Sequence, residues 1–187
     1  MDSTESKFPQ NPPPKTQKIV LGAQIGLRIL VIATALAATW VMLTSRQSTE
    51  IIGITFDARY SYSSTFKFFA FANAVACGFV LLSLIFVFFF RRQGLNASNY
   101  YCLFLHDLFI MSLVLAGCAA TTAEGFIGRY GNRHAGWTPI CDHFGKFCNK
   151  MTTSVILSYL SLSFLLMLTI TSASKSRQIQ VSNSSLV

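Results

Sequence analysis

Four long apolar runs constrain the fold of this chain more than any other feature of its sequence. Only 12% of the 187 residues are charged, whereas soluble domains carry about 25%. Each run is long enough to cross a hydrocarbon core of about 30 Å as a helix, and in lipid each backbone must satisfy its own hydrogen bonds. The sequence therefore predicts an all-α membrane protein, a four-transmembrane-helix antiparallel bundle, with spans at about 19–44, 68–90, 103–123 and 152–173.

The rest of the sequence predicts one membrane domain, residues 19–173, between two polar tails. The first tail, residues 1–18, contains the prolines Pro12 to Pro14, which resist helix formation. Both this tail and the second, residues 174–187, have compositions typical of disorder. The apolar run after the first tail is too long for the core of a cleaved signal peptide. The net charge of +8 is spread over tails and loops, so it favours contact with anionic headgroups over nucleic-acid binding.

Four spans place both tails on one side of the membrane, and two features indicate that this side is cytosolic. Basic residues are equally frequent on the two sides, so the positive-inside rule decides little, although Arg91 and Arg92 after the second span favour the tail side. Cys141 and Cys148 are the only cysteines in the longest loop. On the outside they can form a disulfide; two free thiols are the alternative. The prediction is a multi-pass protein with cytosolic N- and C-termini.

Two ionisable residues lie inside the predicted spans, Arg28 in the first and Asp107 in the third. A charge at the bilayer centre costs about 2.5–3.5 kcal/mol even on lenient scales, so such residues usually pair or line a functional path. Both residues fall in the half nearer the tails, with Arg28 deeper, so a bidentate pair is within reach. Two alternatives remain open: Asp107 faces headgroups beside His106, or Arg28 reaches lipid phosphate.

Small and polar residues in the spans predict how the helices pack. Helices in lipid associate where small residues let their backbones approach each other. Asn73, in the second span, is a buried amide that should seek a partner on another helix. Small residues recur at helical spacing in the second and fourth spans, at Ala70, Ala74 and Gly78 and at Ser154, Ser158 and Ser161.

The order and spacing of residues in the spans and loops resemble those of a known family. The features that match are Arg28, the segment 56–61 followed by Phe66 to Asn73, Asp107, and the loop residues Gly131, Asn132, Trp137, Ile140, Cys141, Phe147 and Cys148. In these features the chain resembles the Casparian strip membrane domain protein-like (CASP-like) family of land plants, which are four-span relatives of MARVEL-domain proteins.

The resemblance implies a plasma-membrane protein that forms a homodimer or higher homo-oligomer and hetero-oligomers with related four-span proteins. In the founding members such assemblies form a membrane platform that recruits cell-wall-modifying proteins. The resemblance also implies that Arg28 and Asp107 are the family's intramembrane pair and that Cys141 and Cys148 are its outer-loop cysteines. Residues 45–53 lack the Leu-Pro-Phe-Phe signature of the founding members, so the resemblance does not extend to the Casparian strip itself.

The sequence favours a non-enzymatic membrane scaffold over two other functions. A small channel or transporter using Arg28 and Asp107 is the alternative, but the second and fourth spans contain no acid, base or histidine that would continue a path. An enzyme built on His134, Asp142 and His143 is the third hypothesis. These residues are suitable metal ligands but lack the paired spacing of a metal site. We therefore expect no catalytic residues, no cofactor and no metal. We expect the protein to be in contact with membrane lipids.

Overall fold

The computed structural model describes residues 14–51, 53–90 and 97–184. Four long helices dominate this part of the chain, and a two-stranded hairpin lies between the first two. The elements in chain order are α1 (Pro14–Leu43), β1 (Arg46–Ile51), β2 (Ile54–Arg59), α2 (Ser64–Phe90), α3 (Ala97–Tyr130) and α4 (Gly145–Ser184), with short 3-10 helices at Tyr60–Tyr62 and Arg133–Ala135.

Each of the four helices contains a segment that is long and apolar enough to cross a membrane. These segments are Ile19–Leu43, Ser64–Phe89, Ser98–Tyr130 and Gly145–Val181. The helices form a ring: α1 contacts α2 and α4, and α3 contacts the same two helices. Consequently α1 and α3 face each other across one diagonal of the bundle, and α2 and α4 across the other. The predicted fold class, an all-α bundle of four membrane helices, is confirmed.

Hydrogen bonds between α1 and α4 fix their antiparallel register. Ser154 Oγ donates to Ala38 O at 2.6 Å, and Ser161 Oγ donates to Val31 O at 3.5 Å. Helix α1 therefore begins, and α4 ends, at the same end of the bundle, which we call the tail end. The hairpin and residues 131–144 lie at the opposite end, which we call the loop end.

The helices extend beyond the predicted spans at the tail end. Helix α3 begins at Ala97, six residues before the predicted span, and α4 continues to Ser184. The prediction of a disordered tail was therefore wrong for residues 174–184. Lys175, Arg177, Gln178 and Gln180 in this segment are good helix formers, and Lys175 Nζ donates to Gln178 Oε1 at 3.1 Å across one turn. Most of the first tail and the pair Arg91–Arg92 lie outside the described residues.

The prediction from small residues was right for α4 and wrong for most of the stripe on α2. Ser154, Ser158 and Ser161 are fully buried, whereas Ala74 and Gly78 are exposed on the outside of the bundle. Helix α2 is apolar on all sides, so its sequence carries no amphipathic signal that separates the core face from the lipid face. Its buried face consists of Phe66, Phe69, Ala70, Ala72, Asn73, Ala76, Cys77, Val80, Ser83 and Val87.

The hairpin at the loop end was not predicted. Its strands pair antiparallel, with Arg46 opposite Arg59 and Ile51 opposite Ile54. Gly53 lies in the turn with a φ of 76°, a conformation that glycine adopts without steric cost. The β-branched residues on both sides of this glycine are typical of a hairpin, but the segment is too short to stand out beside the long apolar runs.

Candidate functional site

The buried centre of the tail-end half is an ion pair across the α1–α3 diagonal. Arg28 Nη1 lies 3.0 Å from Asp107 Oδ1 and Arg28 Nη2 lies 2.9 Å from Asp107 Oδ2, so the contact is bidentate. Both side chains are 0% exposed. The same Nη1 donates to Ser83 Oγ on α2, and that hydroxyl donates to Val80 O at 2.8 Å. We call Arg28, Asp107 and Ser83 the clasp, because they join three of the four helices.

The depth of the two charges explains why they meet. Arg28 comes nine residues after Ile19, where the first apolar segment begins, and Asp107 comes nine residues after Ser98, where the third begins. At 1.5 Å per residue both lie about 13–14 Å along parallel helices. The sequence placed Asp107 about 6 Å from the start of its span, because it took that span to begin at Leu103. The earlier start of α3 removes this offset.

Polar groups surround the clasp on the tail side. His106 Nδ1 lies 3.4 Å from Asp107 Oδ1, and the imidazole is partly exposed. Gln24, one turn before Arg28, is buried. Within the described residues, the side-chain amide nitrogen and oxygen of Gln24 have no hydrogen-bond partner, and the same is true of Arg28 Nε. Asp107 thus contacts Arg28 by two short contacts and His106 by one longer contact.

A second polar contact crosses the other diagonal of the bundle, between α2 and α4. Ser158 Oγ donates to Asn73 Oδ1 at 2.8 Å, and Cys118 Sγ on α3 donates to Ser158 Oγ at 3.1 Å. The amide nitrogen of Asn73 donates to Phe69 O at 3.0 Å within its own helix. The structure therefore brings Asn73 to an interhelical partner. The contact of Cys118 was not predicted, since a lone cysteine in a span gives no signal of a hydrogen bond.

Replacing Ser158 by alanine is expected to destabilise the bundle by about 1 kcal/mol. It leaves the Asn73 carbonyl oxygen without its interhelical donor; lost hydrogen bonds of this kind cost about 1–3 kcal/mol when buried and about 0.6 kcal/mol on average in membranes. The measurement is reversible unfolding in mixed micelles. Ser163→Ala is the control, because its exposed hydroxyl donates to Tyr159 O on the same helix. Equal effects of the two variants would contradict the role of this contact.

The loop end is closed by a disulfide between Cys141 and Cys148, with Cα atoms 5.8 Å apart. The disulfide joins the loop to the first turns of α4. On the other side, the backbone amides of Ile140 and Cys141 both donate to Gly128 O on α3, at 2.8 and 3.1 Å. The disulfide loop is therefore attached to both helices that it connects.

Loss of this disulfide is expected to cost about 2.5 kcal/mol, the value that the chain-entropy model gives for so short a loop. Cys141→Ser or Cys148→Ser should lower the thermal unfolding temperature of the protein in detergent, and reductant should do the same to the unmodified chain. Cys102→Ser is the control, because Cys102 is a free, exposed thiol at the tail end. If reductant did not lower the unfolding temperature of the unmodified chain, the result would contradict a stabilising disulfide.

A compact turn follows α3 and is built on Gly131, Asn132 and Trp137. The backbones of Asn132 and Trp137 exchange hydrogen bonds at 2.9 and 3.0 Å. The Asn132 side chain accepts from the amides of His134 and Ala135, which caps the short 3-10 helix. Gly131 has a φ of 69°, and a Cβ there would lie 2.5 Å from Trp137 O. The glycine, the asparagine and the backbone of the tryptophan thus form one unit, while the indole itself is exposed.

Phe147 joins the hairpin to the bundle. Its ring is buried and lies 6.1 Å from that of Phe66 on α2. Its backbone amide, in the first turn of α4, donates to Gln47 Oε1 on β1 at 2.9 Å, and so a hairpin residue caps this helix. At the same end Lys150 Nζ donates to Thr44 O just after α1 at 3.2 Å.

The hairpin itself carries an exposed ion pair. Arg59 Nη2 lies 3.2 Å from Asp57 Oδ2. A hydrogen bond from Ser48, with the hydrogen bond and charge of Arg59, lowers the pKa of the Asp57 carboxyl. Both side chains are solvated, so the pair orders the strand end without contributing much stability.

The loop residues considered as metal ligands do not form a cluster. Among residues 14–51, 53–90 and 97–184, the structure contains no group of three His, Cys, Asp or Glu side chains placed to hold a metal ion. His134, Asp142 and His143 are all exposed. The backbone carbonyl of His143 accepts from Thr49 Oγ1 at 3.3 Å, which is a contact of the loop with the hairpin.

These features define a class: four-helix membrane proteins with a buried arginine–aspartate pair and a disulfide-bonded loop at one end. The sequence profile of the Casparian strip membrane protein domain matches residues 17–164. The chain therefore belongs to the Casparian strip membrane protein family, as one of its CASP-like members, and the resemblance inferred from the sequence is confirmed.

Curated relatives from several plants match nearly the whole chain. CASP-like protein 1F2 of Populus trichocarpa is 58% identical over 181 residues, which cover 97% of this chain and 100% of the relative. CASP-like protein 1F1 of Vitis vinifera is 55% identical, covering 97% and 88%. CASP-like protein 1F1 of Ricinus communis is 54% identical, covering 97% and 100%. No solved structure is significantly similar to the chain.

Proposed function

We propose that this chain is a non-enzymatic scaffold of the plasma membrane that assembles with copies of itself and with related four-span proteins to organise a membrane domain. Assemblies of this kind would recruit cell-wall-modifying proteins to one region of the membrane. Family membership supports the proposal. The observation that carries it is that the two intramembrane charges are buried and paired with each other.

Arg28 and Asp107 neutralise each other inside the bundle. Both are 0% exposed and their contact is bidentate. A transporter needs intramembrane charges that can exchange partners with a substrate or proton, whereas these two serve to hold α1 against α3. A bundle closed in this way presents an apolar exterior, and an apolar exterior suits lateral association.

Exposed small residues offer surfaces for that association. Ala74 and Gly78 lie on the outside of α2, and Ser112, Ala116 and Ala120 lie on the outside of α3. They are exposed among the described residues, and a Cβ at Gly78 would meet no atom within 4 Å. Small residues let a helix from a second subunit approach closely.

The disulfide supports an extracellular loop end and cytosolic termini. Disulfides persist in oxidising compartments and are rare in the cytosol, and the Cys141–Cys148 bond lies at the loop end. A pH-sensitive fluorescent protein fused to either terminus tests this orientation. Its fluorescence should not change when the outer medium is acidified.

Lateral mobility in plant cells tests the scaffold proposal. Tagged protein should diffuse slowly, bleach in several steps per spot and co-purify with a second, differently tagged copy. Gly78→Leu should increase mobility if this surface is used, while Leu82→Ile, one turn away and also exposed, should leave it unchanged. Single-step bleaching together with free diffusion would overturn the proposal.

A small channel or transporter is the second candidate, and one observation favours it. Gln24 and the Nε of Arg28 are buried without hydrogen-bond partners in the described residues, so polar groups continue from the clasp toward the tail end. Reconstituted protein should then mediate an ion or solute flux that is lost in Asp107→Asn. Absence of flux in the unmodified protein removes this candidate.

A further inference from the structure

Two adjoining grooves lie on the outside of the bundle near the loop end. The first, of about 280 Å³, runs between α3 and α4 and is mostly apolar, with Phe126, Met151 and Ile156 in its walls. The second, of about 470 Å³, continues from it over the end of α3. Phe126 and Tyr130 line both grooves. Their rings are 5.7 Å apart and both are exposed. The grooves therefore adjoin at this pair of rings, and we call the two together the loop-end surface.

The position of Arg129 sets the depth of this surface in the membrane. Arg129 follows Asp107 by 22 residues on the same helix, a rise of about 33 Å. The hydrocarbon core is about 30 Å thick. Since Asp107 lies within the hydrocarbon, Arg129 lies beyond the far edge of the hydrocarbon, on the loop-end side. Thr121, at the deep end of the first groove, lies about 12 Å nearer the membrane centre.

Basic side chains line the shallow part of the surface. Arg129 lines the first groove, and Arg133 and His134 line the second. All three are exposed, and in the described part of the chain none of them has an acidic partner. Glu124, the nearest acid along α3, accepts a hydrogen bond from Ser63 Oγ at 2.7 Å. The mouth of the surface therefore carries positive charge beyond the hydrocarbon, which complements a lipid phosphate.

Hydroxyl groups line the deep part. Thr121 is 0% exposed and lines the first groove, yet its Oγ1 has no hydrogen-bond partner in the described residues. Beside it, Thr122 Oγ1 and the Tyr159 hydroxyl lie 3.2 Å apart. These hydroxyls interrupt an otherwise apolar groove wall.

We propose that these grooves form a binding site for one glycerophospholipid of the leaflet at the loop end. Its phosphate lies between Arg129 and Arg133, and an acyl chain occupies the groove between α3 and α4. Basic mouth, aromatic rim and apolar slot follow the order of the parts of such a lipid. The proposal does not depend on self-assembly.

Native mass spectrometry of the purified full-length protein with added lipid tests the proposal. The two probes are dioleoyl phosphatidylcholine and dioleoylglycerol, which share acyl chains and differ in the phosphate headgroup. We expect one phosphatidylcholine per chain to remain bound, and at least tenfold weaker retention of dioleoylglycerol. Arg129→Gln combined with Arg133→Gln should reduce phosphatidylcholine retention about tenfold, while Arg46→Gln on the exposed hairpin should not change it. Equal retention of the two probes would overturn the phosphate assignment.

Occlusion of the groove provides an independent measurement with a matched control. Thr152 lines the first groove and Thr153 does not, although both hydroxyls bond to a carbonyl one turn back at 2.9 Å. Thr152→Trp should abolish retention and Thr153→Trp should preserve it, with similar unfolding temperatures for both. Equal retention in the two variants overturns the site. Loss of a dimer rather than of lipid in Thr152→Trp also overturns it, because the groove would then hold a second copy.

Discussion

Replacing Arg28 or Asp107 by leucine, one at a time, is expected to destabilise the bundle by about 3–5 kcal/mol, the cost of removing one partner from a buried pair. Each substitution leaves the other charge inside the hydrocarbon without a counter-charge, since both side chains are 0% exposed. The natural measurements are the yield of folded protein after gentle extraction and its unfolding temperature in detergent. Both should fall sharply, along with delivery of the protein to the cell surface.

Two double variants separate the pair from its individual members. Arg28→Leu combined with Asp107→Leu should harm the protein less than either single change, because no lone charge remains. Exchange of the charges, Arg28→Asp with Asp107→Arg, should restore part of the loss, limited by the contact of Ser83 with the original guanidinium. Arg177→Leu, an exposed charge on the extended part of α4, serves as the control. An exchange variant as damaged as the single variants would contradict the pair as a source of stability.

Gly131→Ala is expected to destabilise the loop end by about 3 kcal/mol. The φ of 69° at this position costs an alanine about 1–2 kcal/mol. The new Cβ would also stand 2.5 Å from Trp137 O, a backbone atom, so the paired hydrogen bonds of Asn132 and Trp137 must open, at about 1 kcal/mol each. Hydrogen exchange measured by mass spectrometry should show faster exchange over residues 131–141, together with a lower unfolding temperature.

Gly136→Ala is the matched control for this prediction. Gly136 has nearly the same φ, 70°, but a Cβ there would meet no atom within 4 Å. It should therefore show only the backbone cost. If the two alanine variants behaved alike, the close approach of Gly131 to Trp137 would have no energetic weight.

The intramembrane charges show how far sequence reasoning reaches. The cost of a buried charge identified Arg28 and Asp107 and suggested each as the other's partner. The predicted relative depth of the two charges was wrong. Polar residues before Leu103 lower the hydropathy there, but the helix includes them and begins at Ala97. Ser83 was not identified, since a serine in a span is common and its role depends on which way α2 faces.

Packing faces were harder to predict than spans. In a water-soluble bundle polar residues mark the outside, but a helix surrounded by lipid is apolar on every side. The sequence pattern of Ala70, Ala74 and Gly78 therefore resembles that of a buried helix face. In the structure only Ala70 of the three is buried. The serines of α4 were predicted correctly because hydroxyl groups in lipid gain from partners on other helices, as Ser154 and Ser158 do.

The sequence by itself determined that the chain crosses a membrane four times, that two charges must be neutralised inside it, and to which family it belongs. These properties depend on composition and spacing along the chain. Only the tertiary structure decided which faces meet, that the clasp crosses one diagonal while Asn73 and Ser158 cross the other, and that a hairpin caps α4. Those contacts join residues up to about a hundred positions apart. In an apolar solvent, shape and hydrogen bonding rather than the hydrophobic pattern decide which helix faces pack together.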